Sequence, residues 1–230
     1  MTMETSFGRG LRDSTPVILG LIPFALILGA EAQAKGLNAL ETALLMGVNF
    51  AGGSEFAAVG LWASPAPVLL IIFMTLMINS RYILMGATLV PHLKDEPLRR
   101  VLPALYVLTD ETWALTISRA QQIGHFDFPY YFGTAAPLYL MWVSGGIIGS
   151  YCGAWLGDLR QYGFGMAFPA VFLVIIRGMW RGRKEEALPW LLSLVVATLV
   201  YRWQPGGGLY VIAGTGAGLA LAYHQGGKKS

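Results

Sequence analysis

The stretch FAGGSEFAAVGLW, residues 50–62, carries a carboxylate, Glu55, in the middle of a long run that is otherwise apolar. The glycine pair Gly52 and Gly53 and the hydroxyl of Ser54 stand directly before it. An apolar run of about 20 residues is long enough to cross a bilayer as a helix. Glycine tolerates backbone conformations that other residues avoid. The stretch therefore predicts a membrane-embedded helix that is interrupted by glycines and holds a charge at depth.

The composition of the whole chain predicts the same environment. Of the 230 residues, 55% are hydrophobic and 13% are charged, and the mean hydropathy is +0.55. About a quarter of the residues are charged in a soluble domain. The net charge of +3 would suit nucleic acid, but the Lys and Arg residues fall between the apolar runs, where they typically anchor topology. We therefore expect an all-α polytopic membrane protein that contacts the lipid bilayer and does not bind nucleic acid.

Apolar runs recur along the chain and are separated by short polar connectors. We number about eight such segments in chain order, at residues 16–34, 39–62, 66–90, 100–119, 130–156, 163–178, 188–202 and 207–224. Because no connector is long enough for an inserted soluble domain, we expect a single transmembrane permease domain over residues 1–230. Residues 1–13 would form a cytoplasmic N-terminal tail, and residues 225–230 a C-terminal tail.

The positions of Lys and Arg discriminate between two topologies. If all eight segments cross the membrane with the N-terminus inside, nine basic residues lie inside and six outside, which is a weak bias. If segments 2 and 6 are instead broken or re-entrant, only Lys35, Arg119 and Arg202 of the connectors lie outside. The positive-inside rule favours this second topology. In it, segments 1 to 4 and segments 5 to 8 run in opposite directions as inverted repeats, which are common in secondary transporters.

Polar residues inside the apolar segments are the candidates for a binding site. A charged side chain at the centre of a membrane helix costs about 2.5 to 3.5 kcal/mol on insertion scales, so it persists mainly where it is paired or faces a polar cavity. Arg81 and the carboxylates of Glu55, Asp110 and Glu111 are natural partners of one another. Irregular backbone at the glycine pair is tolerated at this depth where it lines a cavity or is buried in protein.

These features also have simpler interpretations. Gly52 and Gly53 can serve only to let helices pack closely, as small residues do in membranes. Arg81 can be an anchor near a helix end that snorkels to the interface. The glycine-rich run GTGAGLA, residues 214–220, lies inside an apolar segment without a preceding strand. We interpret this run as a site of helix packing and not as a dinucleotide-binding loop.

Several other functional classes are disfavoured by the sequence. The chain has one cysteine, Cys152, and its three histidines are far apart, so we expect neither a metal site nor a cofactor. An intramembrane hydrolase would need an aspartate pair, or a serine with a histidine at depth. The histidines fall in connectors, and we therefore do not expect an enzyme. A passive channel or a structural membrane subunit without carrier activity stays open as the alternative to a transporter.

Five stretches form a recognisable set: DSTPVILGLIPFALILG (13–29), FAGGSEFAA (50–58), Thr75 with Asn79 and Arg81, LTDE (108–111) and FPAVF (168–172). They occur in order over nearly the whole chain, and five motifs together are more specific than any one. The set resembles the AzlC family of bacterial branched-chain amino acid exporters. The resemblance implies export of leucine, isoleucine, valine or similar amino acids across the bacterial cytoplasmic (inner) membrane. It also implies a separate small membrane subunit of the AzlD type. The pattern departs at Glu55, where the family commonly has glutamine.

A zwitterionic amino acid needs donors for its carboxylate, an acceptor for its ammonium group and an apolar pocket. Arg81, or backbone N–H groups at a half-helix N-terminus, can hold the carboxylate, and Glu55 or Asp110 can hold the ammonium group. We expect the substrate site to contain Phe50, Gly52, Gly53, Ser54, Glu55, Phe56, Asn79, Arg81 and Trp113. Carboxylates at membrane depth often belong to proton relays. Because the chain has no nucleotide-binding loop, we expect secondary transport, with Asp110 and Glu111 carrying the coupling proton or ion.

Overall fold

A computed structural model describes residues 5–94, 96–156, 184–204 and 209–226, and these residues form helices and connectors without strands. The helices are α1 (Ser6–Ala34), α2 (Ala39–Asn49), α3 (Gly53–Leu61), α4 (Val68–Asn79), α5 (Arg81–Leu93), α6 (Leu98–Tyr106), α7 (Asp110–Ile123), α8 (Phe128–Leu156), α9 (Lys184–Trp203) and α10 (Leu209–Gly226). The all-helical prediction is confirmed. Segment 6 and its FPAVF motif (168–172) lie outside the described residues.

Three helical stretches of the described chain are long and apolar enough to cross a membrane: Ser6–Ala34, Val68–Leu93 and Phe128–Gly153. Ala187–Trp203 is a shorter apolar helix. These lengths agree with the predicted polytopic membrane protein. α1 begins at Ser6, where the Thr5 side chain accepts a hydrogen bond from the Gly8 N–H group. The predicted N-terminal tail is therefore helical from residue 6.

The long helices α1 and α8 pack against each other in parallel. A Cβ atom added at Gly10, near the start of α1, would overlap the carbonyl of Tyr130, near the start of α8. One added at Gly29, near the end of α1, would overlap the carbonyl of Gly146. The N-terminal part of α1 therefore contacts the N-terminal part of α8, and the C-terminal parts of the two helices contact each other. The sequence predicted opposite directions for segments 1 and 5, and this prediction is wrong.

Segment 2 is a re-entrant hairpin, which we call hairpin A and which consists of α2, residues 50–52 and α3. The Lys35 side chain, before α2, donates a hydrogen bond to the Trp62 carbonyl, after α3, at 3.4 Å. In a continuous helix these residues would be about 40 Å apart, at 1.5 Å of rise per residue. Both ends of the hairpin therefore lie on the side where α1 ends. The predicted interruption of segment 2 is confirmed.

Segment 4 also enters and leaves on one side, which the sequence did not predict. We call it hairpin B; it consists of α6, residues 107–109 and α7. Leu93, which ends α5 before the hairpin, and Phe126, which follows it, are buried in one cluster with Tyr131. The hydroxyl of Tyr130 donates to Asp13 Oδ2 at 2.9 Å, which places this region beside the first part of α1.

The expected full crossing by segment 4 is thus wrong, and so is the outside position that we predicted for Arg119. Arg119 Nε lies 3.7 Å from Asp127 Oδ2, beside the start of α8. The physical reason is a capping box, in which Thr109 and Thr112 exchange hydrogen bonds. It satisfies N–H groups that have no partner within the helix, so a new helix begins at Asp110. The side on which α1 begins therefore carries Arg119.

The two hairpins and the helices after them form an inverted repeat. Residues 39–93 contain hairpin A, which opens to the side where α1 ends, and then a helical stretch that finishes on the opposite side. Residues 98–156 contain hairpin B, which opens to the side where α1 begins, and then α8, which runs the other way. An inverted repeat is therefore present, but its boundaries differ from the predicted division into segments 1 to 4 and 5 to 8.

Residues 68–77 belong with α9 and α10 to a second compact unit. Within it, a Cβ atom added at Gly214 of α10 would approach Ala197 Cβ and the Ser193 carbonyl of α9 to 2.8 Å each. A Cβ atom at Gly218 would lie 3.0 Å from Ser193 Cβ. The GTGAGLA run is therefore a helix-packing surface, as the sequence predicted.

Candidate functional site

Glu55 lies at the tip of hairpin A, inside the protein. It is the third residue of α3, and its side chain is fully buried. Its Oε2 atom accepts a hydrogen bond from Trp142 Nε1 at 2.8 Å, and its Oε1 atom accepts one from the Ala51 N–H group at 3.1 Å. Trp142 is the midpoint of α8 (Phe128–Leu156). The hairpin tip therefore lies at about half the length of α8, and both carboxylate oxygens of Glu55 accept hydrogen bonds.

The interruption in hairpin A has a backbone shape that calls for glycine. Phe50 and Gly52 have φ angles of 42° and 48°, in a region that residues with a Cβ atom rarely adopt. Gly52 has a ψ angle of −75° and precedes the buried first residue of α3, Gly53. The glycine at position 52 thus permits the break itself, which goes beyond the close-packing interpretation.

Three polar side chains bridge this interruption. Asn49 Nδ2, at the end of α2, donates to Ser54 Oγ at 2.8 Å. Asn79 Nδ2, at the end of α4, donates to Asn49 Oδ1 at 3.1 Å. The Oδ1 atom of Asn79 is buried and accepts no hydrogen bond from the residues that the structure describes. A buried acceptor without a partner is costly, so this atom is suited to accept a hydrogen bond from a ligand.

Arg81 connects the tips of the two hairpins. Its Nη2 atom lies 2.9 Å from Asp110 Oδ2 and also donates to the Ala51 carbonyl at 3.4 Å. Ala51 is in the interruption of hairpin A, and Asp110 is the first residue of α7 in hairpin B. The side chains of Arg81 and Asp110 keep 27% and 22% of their surface exposed. Arg81 therefore contacts protein groups at the tips of both hairpins, which the anchor interpretation does not require.

The tip of hairpin B carries the two carboxylates that the sequence singled out. Asp110 and Glu111 occupy the first turn of α7, where the helix dipole favours negative charge. Glu111 is partly buried. The hydroxyls of Tyr106, which ends α6, and Tyr139, on α8, both donate to the Gly47 carbonyl of α2. These contacts join the two tips to each other and to α8.

The predicted aromatic walls are divided between two apolar clusters. Phe50 is buried and packs edge-on against Tyr139, with ring centroids 4.9 Å apart. Phe56 packs against the same cluster, which lies between hairpin A, α1 and α8. Trp113 belongs instead to the cluster around Tyr131, and its Nε1 atom donates to Thr88 Oγ1 at 2.8 Å. In this conformation Trp113 is therefore separate from the two phenylalanines.

Four residues of the site were absent from the predicted set: Asn49, Tyr106, Tyr139 and Trp142. Trp142 had a signal, because it lies far from the ends of its segment while most tryptophans of the chain mark segment ends. Asn49 had a weaker signal, as a polar residue directly beside the FAGGSEF interruption. Nothing in the sequence distinguishes Tyr139 from other tyrosines. Its role follows from the position of Gly47, 92 residues away.

Comparison with known proteins identifies the family. The family described as AzlC protein matches residues 16–156, which include α1 from residue 16 onward, both hairpins and α8. The chain belongs to the AzlC family. The match covers most of the described chain and all of the residues placed at the two hairpin tips. No solved structure matches the chain.

Relatives of this chain occur in bacteria and archaea. The Branched-chain amino acid transport protein AzlC of Bacillus subtilis is 23% identical over 197 residues, which cover 85% of this chain and 76% of that protein. The Inner membrane protein YgaZ of Escherichia coli is 26% identical over 191 residues, 80% and 76% of the two chains. An uncharacterized membrane protein of Archaeoglobus fulgidus is 28% identical over 189 residues, 81% and 82% of the two. Family membership and the apolar helices support a transport role for a membrane-embedded chain.

Proposed function

We propose that this AzlC protein is a secondary transporter that exports branched-chain or similar amino acids across the bacterial cytoplasmic (inner) membrane. The observation that carries the proposal is the position of Arg81, whose guanidinium contacts the tips of two interrupted helices at mid-depth. Interrupted helices that meet near the midplane typically form the substrate sites of secondary transporters. The name of the Bacillus subtilis relative supports branched-chain amino acids as the substrate class.

The tips provide both parts that such a substrate requires. Arg81 can hold a carboxylate, and the carboxylates of hairpin B can hold an ammonium group. The apolar clusters around Phe50 and Trp113 flank the tips and offer surface for an aliphatic side chain. We retain Gly52, Gly53, Ser54 and Asn79 as residues that shape this site.

For coupling, we propose Asp110 and Glu111 as the groups that carry a proton or ion. The two carboxylates differ in their partners. Asp110 forms a salt bridge with Arg81, whereas Glu111 forms no salt bridge with another described residue. Glu111 can therefore change its charge without breaking the link between the hairpins. We further propose that a small AzlD-type membrane subunit completes the exporter, on the basis of the family resemblance.

Counterflow in proteoliposomes tests the proposed activity against a passive channel or a structural subunit. Vesicles that contain the purified chain, with and without its AzlD-type partner, are loaded with unlabelled leucine and diluted into labelled leucine. A carrier transiently accumulates the label, because its substrate site exchanges one molecule for another. Entry that only approaches equilibrium would indicate a channel, and no entry in either preparation would contradict the proposal.

A further inference from the structure

We propose that an α-amino acid binds by inserting its zwitterionic head group between Arg81 and Asp110. The substrate carboxylate then contacts Arg81, and the substrate ammonium group contacts Asp110. This inference rests on the proposed function and adds the binding mode. In the structure Arg81 Nη2 and Asp110 Oδ2 are 2.9 Å apart, so the site is closed by its own ion pair until the substrate opens it.

Exposure distinguishes Asp110 from Glu55 as the partner of the ammonium group. Asp110 and Arg81 keep 22% and 27% of their side-chain surface exposed, whereas Glu55 has none. Both oxygens of Glu55 already accept hydrogen bonds, from Trp142 and Ala51. A ligand can therefore reach the Arg81–Asp110 pair without dismantling the tip of hairpin A.

Charge balance makes insertion selective for a zwitterion. The ion pair is neutral and the amino acid head group is neutral, so binding replaces one ion pair by two without burying net charge. A ligand that carries only a carboxylate takes Arg81 and leaves Asp110 without its partner. A ligand that carries only an ammonium group takes Asp110 and gives the Arg81 guanidinium no carboxylate in exchange. Removing one partner of an ion pair that is mostly buried is unfavourable.

Asn79 offers a second acceptor to the same ammonium group. Its Oδ1 atom is buried and accepts no hydrogen bond from the described residues. Its Nδ2 atom is bonded to Asn49, two residues before the Ala51 carbonyl that Arg81 contacts. An ammonium group has three N–H donors. After it donates to Asp110, it can therefore still donate to Asn79 Oδ1.

The test compares leucine with two analogues on the purified full-length chain. The analogues are 4-methylpentanoate, which is leucine without its amino group, and 3-methylbutylamine, which is leucine without its carboxylate. Binding is measured as ligand-induced thermal stabilisation and as competition with leucine counterflow. We expect each single-charge analogue to bind the wild-type protein on the order of 100-fold more weakly than leucine. Analogues that bind as well as leucine would overturn the insertion.

Two substitutions provide a readout that a merely structural ion pair would not change. In Asp110→Asn, position 110 carries no charge, so binding of the carboxylate analogue to Arg81 no longer leaves a carboxylate without its ion-pair partner. Leucine, in contrast, loses the ionic contact of its ammonium group. We therefore expect the affinity ratio between leucine and 4-methylpentanoate to shrink to roughly tenfold or less. In Arg81→Gln, leucine loses the ionic contact of its carboxylate, whereas the amine analogue, which has no carboxylate, loses nothing. The affinity ratio between leucine and 3-methylbutylamine should therefore shrink. If all three ligands weaken together in both variants, the pair is structural and the inference is wrong.

The matched control is Glu96→Gln, which breaks the Arg100–Glu96 ion pair (3.1 Å) at the start of α6, away from the residues of the two hairpin tips. This variant should keep the wild-type order of the three ligands. The outcomes also separate this inference from the function on which it rests. Absence of leucine binding and counterflow in the wild-type protein would contradict the proposed transport. Leucine transport with equal binding of the analogues would contradict only the binding mode.

Discussion

At the scale of single residues, Glu55 ties the tip of hairpin A to α8. A carboxylate that is removed from water needs hydrogen bonds to be stable, and here Trp142 and Ala51 provide one to each oxygen. The sequence indicated a charged residue at membrane depth, and we interpreted Glu55 as a substrate contact. The partner could not be predicted, because Trp142 is 87 residues away and meets Glu55 only through tertiary packing.

These contacts predict the effect of Glu55→Gln on stability. A carboxylate accepts hydrogen bonds at both oxygens, whereas an amide has one acceptor oxygen and an NH2 donor. Either Trp142 Nε1 or the Ala51 N–H group then faces another donor. An unsatisfied buried donor costs about 1–3 kcal/mol, and we expect the free energy of unfolding in detergent to fall by that amount.

A double-mutant cycle with Trp142→Phe checks the cause of this effect. The phenylalanine removes the indole donor, so a glutamine at position 55 can turn its remaining oxygen toward the Ala51 N–H group. Glu55→Gln should therefore destabilise the Trp142→Phe protein less than it destabilises the wild-type protein. Equal losses in the two backgrounds would show that the bond to Trp142 does not hold the tip.

At the scale of secondary-structure elements, the two hairpins differ in how readily the sequence reveals them. Hairpin A has a visible interruption, because its glycine pair stands in an apolar run. Hairpin B has residues 107–109 at its break, and Val107 and Leu108 fit a continuous helix. The signal is the pair Thr109 and Thr112, which forms the capping box of α7. Such a pair is also common in unbroken helices, so the apolar run was interpreted as a full crossing.

The stability of the tip of hairpin A should depend on the backbone conformation of Gly52 and not on the volume of the side chain at this position. Gly52 has a φ angle of 48°, but a Cβ atom added there would have only ordinary contacts, the nearest at 3.7 Å from Trp142. Gly52→Ala should therefore lower the free energy of unfolding by about 1–3 kcal/mol through backbone strain alone. We expect this loss to appear in thermal or denaturant unfolding of the detergent-solubilised protein.

Gly60 in α3 is the matched control for this substitution. It has helical backbone, and a Cβ atom added there would meet nothing within 4 Å. Because alanine is the better helix former, Gly60→Ala should leave stability unchanged or raise it by up to about 1 kcal/mol. Equal effects at positions 52 and 60 would show that the tip does not need the conformation of Gly52.

At the scale of the whole molecule, the direction of one segment determines the direction of every later one. The sequence predicted that segment 4 crosses the membrane, and this placed segment 5 antiparallel to segment 1. In the structure segment 4 is hairpin B, and α8 therefore runs parallel to α1. The inverted repeat was expected from charge counting, but its boundaries could not be found. Its halves share a pattern of hairpin followed by long helix, not a common sequence motif.

In the inverted repeat, the two hairpins enter the membrane from opposite sides. Hairpin A opens to the side where α1 ends, hairpin B opens to the side where α1 begins, and Arg81 links their tips. A substrate bound at Arg81, as proposed, would have one hairpin between it and each side of the membrane. Alternating access would then require one hairpin or the other to move away from Arg81, and the proposed insertion would weaken the contact with Asp110 of hairpin B.

This topology makes a prediction that does not depend on which side is cytoplasmic. In a Cys152→Ala background, single cysteines at Glu96, before hairpin B, and at His125, after it, should react alike with an impermeant thiol reagent in intact cells. A cysteine at Ser64, after hairpin A, should behave oppositely. Because Arg9 and Arg12 precede most of α1, the positive-inside rule predicts that Ser64→Cys is labelled and the other two are shielded. Labelling of His125→Cys without Glu96→Cys would restore segment 4 as a crossing and remove hairpin B from the site.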